Sequence, residues 1–400
     1  MNSSLEKLYG IAQKETRHIL GLMSGTSLDG LDIALCAISG HGLSTSLSIK
    51  KFTTIVYDDD FRKEVQELFA QKNVSLEKLC LVNEWIGKQH AIMINQCLSD
   101  WQIAASEIDL VASHGQTIYH APLQQHKQQK FGNGTLQIGD ADHIAVGTGI
   151  ICVSDFRQKH IAAGGEGAPL AAYGDYLLFA EKNKDVVLLN IGGIANFTWL
   201  PAGKPFSEIV SSDTGPGNTM MNAYIASIKP GSQFDEDAAM ASQGTIHEKL
   251  LHALMEHEFF RLPFPKTTGP ELFNISYLQS ALGEINLPAL PGYDILATLN
   301  RFTAESIGIA IKQTLPKLEN CIIYASGGGI HNPLLMDHLK KIVYPASLCT
   351  TREKQIDPDA KEAVLFAILA NECIAGNADS FGKGSTHSPA IGMGKISFPT

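Results

Sequence analysis

Gly25 to Asp32, GTSLDGLD, is the first stretch whose residue types suit chemistry. Glycine lets backbone N–H groups approach a ligand closely, and Ser and Thr hydroxyls add donors. The run Gly25, Thr26, Ser27, Leu28, Asp29, Gly30, Leu31 and Asp32 therefore reads as a turn that cradles phosphate oxygens without a lysine. A second small turn, Gly192-Gly193 with Asn196 behind it, reads as a second clamp. A third, Ser326–Asn332 (SGGGIHN), has Gly327, Gly328 and Gly329 where an adenosine or α-phosphate approaches the N-terminus of a following helix, whose partial positive charge favours anions. The fourth is Ser212–Asn218, SDTGPGN. Here a strand is expected to end at Asp213 before Gly-Pro-Gly turns the chain into a helix. Asp213 then has two readings, a turn or N-cap residue that satisfies backbone donors and a general base at a strand end.

Two further loops carry polar side chains beside apolar strands. Ala112–His120 holds His114 and Gln116, and Asp155–Leu170 holds Arg157 and a Gly164-Gly165-x-Gly167 run. Strand ends of this kind are where α/β proteins place ligands. Other nucleotide and hydrolase signatures are missing: there is no GxxxxGK[ST], no GxGxxG after a strand and no GxSxG. His247 and His252 imitate a zinc-helix motif, but five residues apart they lie about 140° apart around a helix, so no metal ligand is expected.

These turns need strands on both sides. Ile19–Met23 and Leu31–Ile38 flank the first, and DVVLLNIGGIANFTWL (Asp185–Leu200) repeats the pattern. Third strands are expected at Leu47–Tyr57 and Phe206–Ser212. Helices should cover Asp60–Ala70, Leu76–Leu98 and Asn218–Ile228, with later strands at Asp109–Ser113 and Cys321–Ala325 and a helix from about Pro333. Strands alternating with helices indicate an α/β fold, and two β-β-β-α-β-α layouts suggest a duplication with a cleft between the halves. Four hundred residues suit two domains. A net charge of −10 argues against a nucleic-acid partner, and no apolar run is long enough for a membrane span. Seven scattered cysteines without a CxxC pair fit a reducing cytoplasm.

Taken together, GLMSGTSLDGLD, SHGQT, LQIGD, DFR, GGEGAPL, LNIGGIAN, DTGPGN, PKTTGPELFN and SGGGIHN resemble the anhydro-N-acetylmuramic acid kinase family. The likeness runs from about Ile19 to Phe398. It implies two ribonuclease-H-like domains of the actin and hexokinase type flanking an active-site cleft. They are expected at 1–157 and 158–379, with a strand from 380–400 packing back on the first. It implies ATP and Mg²⁺ as cofactors and an anhydro amino sugar as the small-molecule partner. The reaction is hydrolytic opening of 1,6-anhydro-N-acetylmuramic acid with phosphorylation of O6, in cell-wall recycling. The alternative is another amino-sugar kinase of the same superfamily acting on an ordinary hydroxyl. Within the resemblance, Asp213 is the catalytic base, Gly25–Asp32 binds ATP, and His114, Arg157 and Glu362 contact the sugar. A cytoplasmic homodimer is expected. The chain departs from the family pattern at Gln158-Lys159-His160, at Glu166, and at Ser24, where relatives such as glycerol kinase carry an aspartate.

Overall fold

The computed structural model describes the chain except for residues 1, 169, 230, 285–289, 355–359, 378–379, 382–383 and 385–388. Pro169 of the GGEGAPL motif and parts of the expected 380–400 segment thus lie outside the described residues. The chain forms two compact units. Unit 1 holds residues 1–178, 205–207 and 355–400, and unit 2 holds 179–204 and 208–354.

In unit 1, β1 (Thr16–Ser24) and β2 (Gly30–Ser39) form the expected hairpin, and β3 (Ser46–Val56) extends it antiparallel. β4 (Leu110–Ala121) and β6 (Ile151–Ser154) follow in parallel on the other side of β1, while β5 (Gly134–Ile138) pairs with the far half of β4. The strand Lys395–Ser397 closes the edge against β6. Period-2 alternation sends successive β1 side chains to opposite faces. Leu20 and Leu22 join a core with Ile86 and Ile94 of the helix Leu76–Trp101. Gly21 faces the helix Lys361–Ala375, where an added Cβ would stand 1.9 Å from the Ala363 carbonyl oxygen. That helix is apolar on every face from Ala363 to Ala370, and every residue through Glu372 is buried, as a helix covered on several sides must be.

In unit 2, β7 (Asp185–Ile191), β8 (Ile194–Leu200) and β9 (Val210–Pro216) are antiparallel, and β10 (Cys321–Ser326) and β11 (Ser347–Thr350) are parallel to β7. The order β9-β8-β7-β10-β11 repeats β3-β2-β1-β4-β6 strand for strand. This shared order is the ribonuclease-H-like plan and carries the duplication. The helix Gly292–Thr314 buries Leu299, Phe302 and Ile307 in the unit 2 core.

Four expectations need correction. The third strand of unit 2 runs over Val210–Pro216 in place of 206–212, so Asp213 lies within a strand and not at its end. β4 continues through His114-Gly115 to Ala121. The boundary between the units falls at 178/179, not at 157/158. Residues 158–178 stay with unit 1 because Tyr173 and Tyr176 pack on Phe206, with Tyr173 also on Phe381. The helix Lys361–Ala375, expected in the second domain, lies on β1, β2 and β4 of unit 1.

Candidate active site

The phosphate-type turn lies in unit 1. Among the described residues, the backbone N–H groups of Thr26 and Ser27 donate to no protein acceptor, and Thr26, Ser27 and Asp29 are exposed. Leu28 is the opposite: at φ +58° it drives its side chain into the core, where it is 3% exposed. Its carbonyl accepts from Arg62 Nε at 3.2 Å. The turn is thus pinned from beneath and presents its donors outward, the arrangement an anion needs. Gly30, Leu31 and Asp32 belong to β2, and Leu31 is a fully buried core residue. Of the eight expected residues, the five from Gly25 to Asp29 make the turn itself.

The three expected sugar contacts of unit 1 come together. Arg157 Nε donates to His114 Nε2 at 3.0 Å, and Arg157 Nη1 donates to the Gly167 carbonyl at 3.0 Å. His114 is buried and tilted against Phe366. Burial, helped by the Arg157 cation, pushes its imidazole down to about 3, so it is neutral. Glu362 stays solvent-accessible, but crowding by protein and then the Asp32 carboxylate raise its pKa, while Arg157 lowers it. His160, at one of the departures from the family pattern, orders the glycine loop by accepting the Gly167 N–H at 2.9 Å.

Asp213 lies in unit 2. Its Oδ2 accepts the backbone N–H of Thr268 at 2.9 Å, and its own N–H donates to the Lys266 carbonyl at 3.0 Å. Asn218 is the residue before the helix Thr219–Ile228, and Asp213 caps nothing there, which removes the N-cap reading. Burial raises the Asp213 carboxyl and the Thr268 bond partly opposes this. A half-buried carboxylate with one oxygen anchored and a raised affinity for protons suits a general base. Lys266 and Thr268 lie in the PKTTGPELFN motif, one of those that carry the family resemblance.

The glycine turns of unit 2 meet at one end of the sheet. The Gly192 carbonyl accepts from Asn218 N–H at 2.8 Å, and the Gly193 carbonyl accepts from Gly217 at 2.8 Å and Thr219 at 3.1 Å. These carbonyls consume the amides that open the helix Thr219–Ile228, so the glycines serve that helix as well as any ligand. A Cβ on Gly327 would meet Asn190 Oδ1 at 2.6 Å, and one on Gly329 would meet the Ile191 side chain at 2.3 Å. Gly193 and Gly328 are exposed. Beside Gly328 opens a cavity of about 420 Å³ lined also by Asn218, Met221, Phe234, Asp235, His331 and Asn332. Nothing in GSQFDED marks Phe234 and Asp235 as lining a cavity.

The anhydro-N-acetylmuramic acid kinase family model matches residues 17–398. The anhydro-N-acetylmuramic acid kinase of Pseudoalteromonas atlantica is 55% identical over 400 residues, covering all of both chains. The chain belongs to the anhydro-N-acetylmuramic acid kinase family. The kinase of Pseudoalteromonas translucida is 51% identical over the full length of both chains, and that of Caldanaerobacter subterraneus is 37% identical over 98% of this chain and all of its own. The family resemblance read from the motifs is therefore established, and with it that the chain is an enzyme, a kinase of this family. Among the described residues, no helix is long and apolar enough to cross a membrane.

Proposed function

We propose that the chain uses ATP and water to convert 1,6-anhydro-N-acetylmuramic acid into N-acetylmuramic acid 6-phosphate and ADP, as a step of cell-wall recycling. The observation that carries the reading is Asp213, a half-buried carboxylate with raised proton affinity and one anchored oxygen, in a chain of this family.

The substrate's chemistry explains why such a base is wanted. O6 of the anhydro sugar is an ether oxygen with no proton to remove. Asp213 takes a proton from water, the water oxygen bonds to C1, and the C1–O6 bond breaks with its electron pair on O6. O6 then bonds to the γ-phosphorus and the bond to ADP breaks. The free amides of Thr26 and Ser27 are suited to absorb phosphate charge. Arg157, with Glu362 close to it, is the cationic contact for the sugar. Mg²⁺ bound to ATP is commonly held by one or two carboxylates together with phosphates and water. Asp29 fits that donor set, being an exposed carboxylate beside exposed amides that lack a protein acceptor. When bound there, Mg²⁺ would neutralise phosphate charge. The cavity beside Gly328 suits the adenosine. A cytoplasmic setting agrees with ATP use and with seven free cysteines.

Turnover in ¹⁸O-water tests the reading. The label is expected on C1 of the product, one per ADP formed. Product without label would overturn the hydrolytic step, and faster phosphorylation of plain N-acetylmuramic acid would favour an ordinary sugar kinase.

A further inference from the structure

Beneath the turn at Gly25 lies a column of buried polar side chains that the proposed chemistry does not use. Ser24, Tyr57, His90 and Gln116 are each 2% exposed or less. His90 Nε2 lies 3.2 Å from Tyr57 Oη, Tyr57 Oη 2.7 Å from Ser24 Oγ, and Ser24 Oγ 2.5 Å from Gln116 Oε1. Gln116 Nε2 donates to the carbonyls of Gly25 and Thr117, both at 3.3 Å.

The direction of every proton follows from these contacts. Gln116 must turn its amide nitrogen toward the two carbonyls, since the opposite flip would face oxygen with oxygen. Its Oε1 only accepts, so the single Ser24 hydroxyl proton is donated to it. Ser24 Oγ then accepts from Tyr57, whose one proton is thereby used. Tyr57 Oη accepts in turn, and the donor is His90 Nε2–H. His90 is therefore the neutral Nε2–H tautomer, and its Nδ1 is a bare acceptor, in agreement with that atom being buried without a partner. Burial lowers this imidazole to about 4, so the column is the same throughout the neutral range.

We propose that His90, Tyr57 and Gln116 are positioning residues for the phosphate turn, acting as a one-way chain of donors that fixes the Gly25 carbonyl. The amides that follow Gly25 are thereby held facing outward. The inference rests on the reading of that turn as the ATP phosphate site. Tyr57 and His90 touch no substrate; they act through Ser24 and Gln116.

Tyr57→Phe tests it in the full-length enzyme, because it deletes one hydroxyl and keeps the ring stacked on Phe61 at 3.8 Å. The KM for ATP is expected to rise about 3- to 10-fold, the loss of one buried hydrogen bond. The KM for the sugar should change little, and the melting temperature should fall modestly, because the buried His90 Nε2–H loses its acceptor. His90→Leu should do the same, and His90→Gln, which keeps a donor, should restore much of the loss. An unchanged KM for ATP in Tyr57→Phe, or a lowered melting temperature with KM intact, overturns the proposal. Histidine ¹⁵N spectra should show His90 protonated on Nε2; protonation on Nδ1 overturns the stated direction. Ser27→Glu separates the two levels, since a carboxylate in a phosphate site must weaken binding of a non-hydrolysable ATP analogue. If Ser27→Glu weakens binding and Tyr57→Phe does not, the positioning chain fails alone. If Ser27→Glu binds normally, the phosphate reading fails and takes the chain with it.

Discussion

Asp213 Oδ2 accepts the backbone N–H of Thr268 at 2.9 Å, a bond between residues 55 apart in sequence. In the proposed mechanism Oδ1 is the oxygen that meets water. Asp213→Asn keeps an acceptor for Thr268 and removes basicity. Turnover should fall about 10²- to 10⁴-fold, the usual contribution of a general base, with ATP binding retained. Burial holds the folded carboxyl above its ordinary value, so the folded protein binds this proton more tightly than the unfolded chain. The ionised form therefore costs stability above the unfolded pKa, and Asp213→Asn should not lower the melting temperature at pH 7. The kcat of the parent enzyme should drop as pH falls through the raised pKa. A variant that keeps turnover would remove Asp213 from the mechanism.

Gly217 packs tightly against the Gly192-Gly193 backbone. A Cβ there would stand 2.2 Å from the Gly192 carbonyl oxygen, which is itself bonded to Asn218 N–H. Neither group is the flexible end of a side chain, so the strain has no cheap outlet. Gly217→Ala should destabilise unit 2 by about 2 kcal/mol or more, within the range for overpacking, and should depress activity. Calorimetry gives the number; a melting temperature within a degree of the parent would contradict the contact.

The two hairpins were legible because continuous apolar runs flank each turn and glycine marks it, and the DTGPGN motif singled out Asp213 as a candidate. The limits of β9 were not. Gly215 and Pro216 read as strand breakers, but β9 is the edge of its sheet, where a missing N–H costs no ladder bond, and the pairing with β8 shifts register between Ala195 and Asn196. Thr268 was hidden for a different reason. Its contribution is a backbone N–H, which any residue but proline supplies, delivered by a loop far along the chain. The unit boundary was missed because 158–178 and 361–375 are claimed by packing that sequence order does not reveal.

Three buried histidines make unit 1 acid-sensitive. Burial holds His90 and His160 at about 4 and His114 at about 3. An unfolded chain protonates each near 6.5. Between those values the unfolded state binds more protons, so this stability is present above pH 6.5 and is lost as pH falls toward 4. With three sites the slope reaches about 4 kcal/mol per pH unit near pH 5. The melting temperature of unit 1 should fall from pH 7 to pH 5, before carboxylates titrate, and His90→Gln should reduce the slope by about a third. A flat profile over that interval would mean that the rings gain water or a partner when charged.

Phe234 offers the last discriminating test. It is 61% exposed, yet it lines the cavity beside Gly328 together with Asn218 and Asn332. A large ring left in water gains nothing for the fold, and a purine face is the kind of partner it fits. Stacking of a base on an aromatic side chain is worth about 1–3 kcal/mol by alanine substitution. Phe234→Ala should therefore raise the KM for ATP at least about 5-fold, while the KM for the sugar and the melting temperature stay near the parent values. Phe234→Tyr keeps the face and should bind normally. Equal KM values for ATP in Phe234→Ala and the parent would place the adenine elsewhere, and inosine and guanosine triphosphates would then show whether any base contact exists.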